Sequence, residues 1–290
     1  MQLKRLPGSA GNTPRFAVVG QPIAHSRSPH IFAALSAAGG IPLRYERLEI
    51  APADFAAVFE QARASGSGGS PQLYDGWNVT APHKERALAG ADTASANARA
   101  VGAANVVSFS EGRAAVDNTD VAGVIALLRS RGIDPRGQVV TVLGAGGAAR
   151  ATALGLRDLG AARVVIANRT AERARTLVAE LRPAMGTTEL LAGDGEPAPL
   201  IVNATSAGGA VADAVALCAP GGWCVDLQYK PTLTPFVQAA RAAGRNAVNG
   251  TTMLVAQAVA TFRIWFGEVA LDPAVDGQLA RIVEADEVAA

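Results

Sequence analysis

The segment NVTAPHK, residues 78–84, ends in a lysine at the junction between a short apolar run and ERALAG, where a helical pattern starts. Lys84 is there either as a solvated cation or as an acid able to protonate an alkoxide forming on a bound carbonyl compound. Three more polar clusters sit at comparable junctions: Ser26 and Ser28 in SRS, Asn105 at the end of GAAN, and Asp120 at the end of DNTD. Each also has a purely structural reading. Ser28-Pro29 is an ordinary helix start, Asn105 suits a turn, and Asp120 suits the N-cap of the helix that follows. Their coincidence at four strand ends favours a common site over four unrelated caps.

A second constellation lies further along. VTVLGAGGAARATALGL places Gly144, Gly146 and Ala149 in a G-x-G-x-x-A arrangement, directly after an apolar strand pattern and at a helix start. The first glycine permits a tight turn, the second lets a pyrophosphate approach the backbone, and the small third residue lets helix and strand pack closely. Backbone N–H groups at the helix start then face the anion. The next strand pattern, ARVVIA, does not end in the Asp or Glu that would take the ribose hydroxyls of NAD. It ends in Asn168, Arg169 and Thr170, with Arg173 four residues after Arg169. Two arginines around a helix start can face one anion, which suits the 2′-phosphate of NADP. Taken alone, they are more readily two surface arginines on an amphipathic helix; the missing acid beside them is what favours NADP.

These residues need a scaffold, and the apolar periodicity supplies one. RFAVVG, LRYERLEI and DGWNV read as strands; SPHIFAALSAAGG and PADFAAVFEQARA read as helices, with SGSGGSPQ a loop. Short helices in KERALAG and TASANARAVG precede a hairpin pairing AANVVSF with RAAVDN across SEGR. VAGVIALLRSRG leads as a helix into the strand, glycine turn, helix and strand of the second constellation. LIVNATS and WCVDLQY read as buried strands separated by a weak helix near ADAVALCAP. Helices in TPFVQAARAAG, TTMLVAQAVATFRIWFG and PAVDGQLARIVEA close the chain. Strands separated by helices predict an α/β fold with two lobes. One is a substrate domain with a mostly parallel sheet, residues 1–120 plus 250–290; the other is a Rossmann-type domain, residues 121–249. The late helices are expected to return to the first lobe, and ligands to favour the cleft between the two.

Composition excludes several function classes. The 290 residues are 49% apolar, enough for a sizeable core. Lys plus Arg total 26 against 25 Asp plus Glu, so no global field draws nucleic acid or an anionic membrane. No signal-peptide pattern or membrane-length apolar run occurs, which predicts a cytoplasmic protein. Cys218 and Cys224 match neither a C-x-x-C redox pair nor a zinc knuckle and are expected to be reduced and structural. His25, His30 and His83 fit no compact metal motif, so no metal is expected.

GQPIAHSRSP, NVTAPHK, GAAN, DNTD, GAGGAAR, NRTAER, NATSAG, DLQYKPTLTPF and NGTTMLVAQAVATFRIW, in this order and spacing, resemble the motifs of the shikimate dehydrogenase family from about Phe16 to Gly267. The resemblance implies NADPH-dependent, reversible reduction of 3-dehydroshikimate to shikimate on the route to chorismate and the aromatic amino acids, by a monomer or homodimer. It implies that Ser26 and Ser28 bind the substrate carboxylate, and that Thr80, Asn105, Tyr229 and Gln257 contact the carboxylate or ring hydroxyls. Lys84 and Asp120 match the family's catalytic pair and also touch substrate. Such a lysine stabilises and protonates the forming alkoxide while the aspartate holds it and a substrate hydroxyl. Cofactor contacts are implied at Gly144, Ala145, Gly146, Gly147, Ala148, Asn168, Arg169, Thr170, Arg173 and Thr205, with Leu227 and Gly250 lining the nicotinamide. Gln257 shares a helix face with Met253 and Leu254, so a buried structural amide satisfies its position as well as a ligand contact does. His83 is read as structural. Phe32-Ala33 stand where the family commonly carries His-Asn, Ala96 replaces a frequent carboxylate, and NGTTML replaces a more glycine-rich turn. A quinate or aminoshikimate dehydrogenase is the nearest alternative, and a non-catalytic NADP-binding sensor a more distant one.

Overall fold

The computed structural model describes residues 13–24, 26–66, 72–205, 213–271 and 274–284. The chain forms two compact units, one running up to Thr119 and resuming from Gln257 through the last helix, the other comprising Asp120–Ala256.

In the first unit β1 (Arg15–Gly20), α1 (Ser28–Gly39), β2 (Arg44–Glu49), α2 (Phe55–Ala64) and β3 (Gly76–Val79) alternate as the apolar periodicity predicts. α3 (Lys84–Ala89), the two-residue β4 (Thr93–Ala94), α4 (Ala96–Val101) and the hairpin β5 (Val106–Ser110) and β6 (Arg113–Asp117) follow. The sheet order is β2-β1-β3-β5-β6-β4. β5 pairs antiparallel with both β3 and β6, whereas the other pairings are parallel. β1 is buried along all but its first residue because it lies between β2 and β3 with helices over the sheet. The hairpin turns on Glu111 and Gly112, whose φ values of 52° and 73° give the two left-handed positions a tight two-residue turn demands. α4 starts at Ser95, whose Oγ accepts from the Ala98 N–H, and stops at Gly102 with φ 72°.

The second unit holds α5 (Asp120–Ser130), β7 (Val139–Leu143), α6 (Gly147–Asp158), β8 (Arg163–Ala167), α7 (Ala171–Leu181) and β9 (Glu189–Gly193). β10 (Ala198–Asn203), β11 (Cys218–Asp226), α8 (Pro235–Ala242) and β12 (Asn246–Val248) complete its sheet. All strands are parallel in the order β12-β11-β10-β7-β8-β9. Numbered from the first strand of this sheet, that is 6-5-4-1-2-3, the doubly wound dinucleotide-binding order with its switch point between β7 and β10. The α/β expectation therefore holds, including the mostly parallel first sheet.

α9 (Thr251–Phe266) has its first residues in the second unit and Gln257 onward in the first. Trp265 of α9 donates from Nε1 to the Val107 carbonyl at 3.2 Å and stacks on Phe16 with centroids 4.2 Å apart. Gly76 makes room for it: a Cβ there would stand 2.7 Å from the indole nitrogen. α10 (Val275–Glu284) packs against α1 through a stripe containing Val275, Leu279 and Val283.

Local differences from the sequence reading have simple causes. β4, β9 and β12 were not expected; they are short edge pieces whose apolar content is too small to register a period. The helix expected near ADAVALCAP is a 3-10 turn at Asp213–Leu217, and Cys218, Ala219 and Pro220 already belong to β11. Five residues ahead of a proline leave no length for an α-helix. The loop residues 67–71 lie outside the described residues. Both cysteines are free and buried, and burial pushes their thiols up from the usual range.

Candidate functional site

In the first unit the strand ends of β1, β3, β5 and β6 carry side chains hydrogen-bonded to one another. Ser26 Oγ donates to Ser28 Oγ at 3.2 Å and accepts from the Ser28 N–H at 3.3 Å. Arg47 of β2 clamps the Ser26 carbonyl with Nε and Nη2 at 2.9 and 2.7 Å. Asn105 is buried just before β5. Its Oδ1 accepts from the Thr119 N–H at 2.9 Å, and its Nδ2 reaches Thr119 Oγ1 at 3.1 Å and Gln257 Oε1 at 3.3 Å. Thr261, one turn after Gln257, donates to the Gln257 carbonyl at 2.9 Å. Ser26, Ser28, Asn105 and Gln257 thus lie within one unit, in hydrogen-bonded groups. Gln257 is only partly buried and its amide oxygen has a partner, which satisfies the structural reading and leaves its other face available.

Besides Arg47 and Thr261, three residues that sequence reasoning missed complete this network. Tyr45 of β2 donates its hydroxyl to Asn78 Oδ1 at 2.7 Å. Asn78 Nδ2 in turn faces the Asn105 carbonyl and Thr261 Oγ1, each at 3.3 Å. Thr119 is the third, through its bonds to Asn105. Burial pushes the Tyr45 phenol well above the usual tyrosine range, against a smaller opposing effect of the Ser28 hydrogen bond. Asn78 belongs to NVTAPHK and lies two residues before Thr80, where strand alternation puts both on one face; that alternation is the signal that could have found it.

Thr80 follows β3, its N–H donating to the Val19 carbonyl at 2.9 Å. Lys84 is the first residue of α3, and the Ala81-Pro82 peptide ahead of the helix is cis. Lys84 is half-buried, and its backbone carbonyl accepts from the Ala104 N–H at 2.9 Å, which ties it to the residue before Asn105. His83 is fully buried, with Nε2 2.7 Å from the Ile50 carbonyl and its ring stacked 4.5 Å from Phe55, in keeping with a structural role. Asp120 is buried and is the first residue of α5 rather than its cap, where a carboxylate complements the helix dipole.

The second unit carries a cavity of about 800 Å³ at the carboxyl ends of β7, β8 and β10, the place open parallel sheets reserve for ligands. Gly144, Ala145, Gly146, Asn168, Arg169, Arg173 and Thr205 line it, joined by Asp194, Asp213 and Leu217. Gly144 holds φ 111°, which no side chain adopts readily. Gly146 and Gly147 face open space, so a phosphate can come up to the backbone at the start of α6. The exposed guanidinium groups of Arg169 and Arg173 supply the charge. The cavity therefore fits a phosphorylated dinucleotide. Gly147 and Ala148 sit in the first turn of α6 without lining the cavity, and Thr170 enters only through its carbonyl, which accepts from Asn168 Nδ2 at 2.8 Å. Asp194 escaped the sequence reading because β9, which it follows, did too.

Leu227 and Gly250 meet each other at the end of β11: a Cβ on Gly250 would stand 2.2 Å from the Leu227 carbonyl oxygen. Beneath them the buried Asp226 accepts from Asn203 Nδ2, the Gln228 N–H and Thr234 Oγ1 at 3.0, 3.0 and 2.6 Å. Burial pushes this carboxyl above the usual carboxylate range, with those hydrogen bonds opposing the shift. Asn203 also anchors Thr205, and Gln228 Nε2 donates to the Thr205 carbonyl at 2.8 Å, so the cavity wall and the segment leading to Tyr229 share one scaffold. Among the described residues no group of three or more His, Cys, Asp or Glu side chains could hold a metal, and no helix is long and apolar enough to cross a membrane.

Residues 18–107 match the family described as the shikimate dehydrogenase substrate binding domain, and residues 127–214 match the shikimate/quinate 5-dehydrogenase family. The chain is 46% identical over 269 residues to a shikimate dehydrogenase (NADP(+)) of Methylobacterium radiotolerans, covering 88% of this chain and 92% of that one. It is 40% identical over 281 residues to the enzyme of the same name from Acidiphilium cryptum, covering 96% and 98%. The crystal structure of shikimate 5-dehydrogenase from Thermus thermophilus in complex with NADP(H) and shikimate superposes with a TM-score of 0.80 at 35% identity, covering 93% of this chain and 100% of that one.

Proposed function

Because this chain belongs to the shikimate dehydrogenase family, we propose that it catalyses the reversible NADP-linked interconversion of shikimate and 3-dehydroshikimate in aromatic amino acid biosynthesis. The observation that carries the reading is the group of Ser26, Ser28, Asn105 and Gln257 in hydrogen-bonded arrays within one unit. Hydroxyl and amide groups of this kind recognise a small polyhydroxylated carboxylate, whose own groups demand partners of fixed direction.

The G-x-G-x-x-A turn, Asn168, Arg169, Arg173 and Thr205 would hold NADP, with Leu227 and Gly250 on the nicotinamide side. Bound NADP supplies the hydride donor or acceptor. In the direction of reduction, the Lys84 ammonium stabilises the oxygen that gains charge and delivers the proton that completes the hydroxyl. Asp120 holds that ammonium and a neighbouring substrate hydroxyl. Ser26 and Ser28 donate to the substrate carboxylate, while Thr80, Asn105, Tyr229 and Gln257 take the carboxylate or ring hydroxyls. In oxidation the same lysine takes the proton as the hydride leaves carbon. The units then correspond to a substrate domain and an NADP domain, and the enzyme works in the cytoplasm as a monomer or homodimer.

The test is to follow nicotinamide absorbance with purified protein, offering shikimate or quinate with NADP or NAD. Reduction of NADP by shikimate is expected, well above that of NAD. Equal or faster turnover of quinate would shift the assignment to the quinate-type alternative, and no turnover with any pair would sink the reading.

A further inference from the structure

Tyr45 is a strand residue of β2 that neither the fingerprint motifs nor the proposed chemistry uses. Its ring lies flat on Phe32, centroids 4.4 Å apart and planes 9° from parallel, with Trp265 at 6.4 Å. Phe32 is one of the positions where this chain departs from the pattern it resembles, and it is fully buried against the phenol. The stack leaves the phenol little freedom about its ring axis, so the hydroxyl direction is set by packing.

The hydrogen-bond directions follow from what each atom can do. The Asn105 carbonyl only accepts, so the Asn78 atom 3.3 Å from it is the amide nitrogen, and the oxygen faces Tyr45. Tyr45 must then donate to Asn78, and its lone pairs remain for the Ser28 hydroxyl, which also bonds to it. One hydroxyl thus joins the start of α1 to β3 and, through the Asn105 carbonyl, to the start of β5. That carbonyl also accepts from the Val79 N–H at 2.9 Å, so Asn78 and the ladder hold it together.

We infer that Tyr45 is a positioning residue for substrate recognition: its hydroxyl locks the Asn78 amide in one orientation and holds Ser28, so that Ser28 and Asn105 meet substrate without reordering. This rests on the reading of Ser28 and Asn105 as substrate contacts. Tyr45→Phe keeps the ring and its stack and removes only the hydroxyl. It leaves the Asn78 oxygen without its donor and returns rotational freedom to Ser28, which together should raise the KM for shikimate about tenfold. kcat and the KM for NADP should stay within about twofold, because the loss is one of ground-state binding on the substrate side.

Steady-state kinetics of wild type, Tyr45→Phe, Asn78→Ala and the double variant test this. A tenfold rise confined to the shikimate KM, reduced when Tyr45→Phe is added to Asn78→Ala, supports the inference, since the part acting through Asn78 is already lost there and only the hold on Ser28 remains to lose. An unchanged shikimate KM in Tyr45→Phe overturns it. So does a loss shared equally by the NADP KM, or a full tenfold loss in the Asn78→Ala background; either outcome marks Tyr45 as merely structural. A wild-type protein inert toward shikimate would instead remove the functional reading, and this inference with it.

Discussion

In the first unit the candidate site residues are bonded to one another: Ser26 to Ser28, Tyr45 to Asn78, Asn105 to Thr119 and Gln257. In the second, the cavity is lined by Gly146, which faces open space, and by arginines reaching into solvent. The difference follows from what each region has to hold. A small polar ring is distinguished from its neighbours by the direction of a few hydrogen bonds, so its partners must be fixed before it arrives. A dinucleotide is large and anionic; close backbone approach and positive charge suffice to hold its phosphates. Side chains buttress side chains on one side, and backbone shape with exposed charge serves on the other.

That contrast can be broken most severely at Lys84. Lys84→Ala should lower kcat for shikimate oxidation by about 10²–10⁴-fold, the usual range for losing a proton-transfer group, with the KM for NADP little changed. Stopped-flow or steady-state absorbance checks it, and a variant turning over at the wild-type rate would overturn the mechanism. On the cofactor side, replacing Arg169 and Arg173 together by alanine should raise the KM for NADP by about 10–100-fold, as expected for charged hydrogen bonds to a phosphate. NAD, lacking that phosphate, should be used no worse; equal losses with both cofactors would show that the arginines do not read the phosphate.

The smallest effect concerns the scaffold under the cofactor side. Asp226→Asn preserves the shape of the buried group and should cost about 1 kcal/mol of stability. Its pH dependence is the sharper signal. The folded protein binds the Asp226 proton more tightly than the unfolded chain, because burial raises its pKa. Wild-type stability contributed by this group is therefore fully present below the ordinary carboxylate pKa, about 4, and is lost as pH rises through the raised folded value. The variant does not titrate there. The gap in Tm between wild type and Asp226→Asn should narrow as pH climbs from 4 toward 7; a gap that widened would reverse the assigned sign.

How legible these regions were differs for the same physical reason. The glycine turn and the arginines are local: Gly144, Gly146, Arg169 and Arg173 lie between the end of β7 and the first turn of α7, so their spacing alone implies a phosphate site. Asp194 lines the same cavity and was missed, because it follows β9, an edge strand whose residues ELLAG carry no apolar alternation. Tyr45, Asn78 and Thr261 come from β2, β3 and α9, and no local pattern connects pairs 33 and 183 positions apart. Even Gln257, singled out on its helix face, stayed ambiguous until Asn105 appeared as its partner.

By itself, then, the sequence determined the alternation of strands and helices, the dinucleotide-type turn and the four polar strand ends, all of which depend on neighbours within a few residues. Tertiary structure decided the rest. Sheet order placed β7 beside β10 and opened the cavity at their switch point. The return of α9 brought Gln257 and Thr261 against Asn105 and Asn78. Hydrogen-bond partners of this kind are set by the closing of long chain loops, whose outcome depends on packing across the whole unit and is not written in any one stretch of residues.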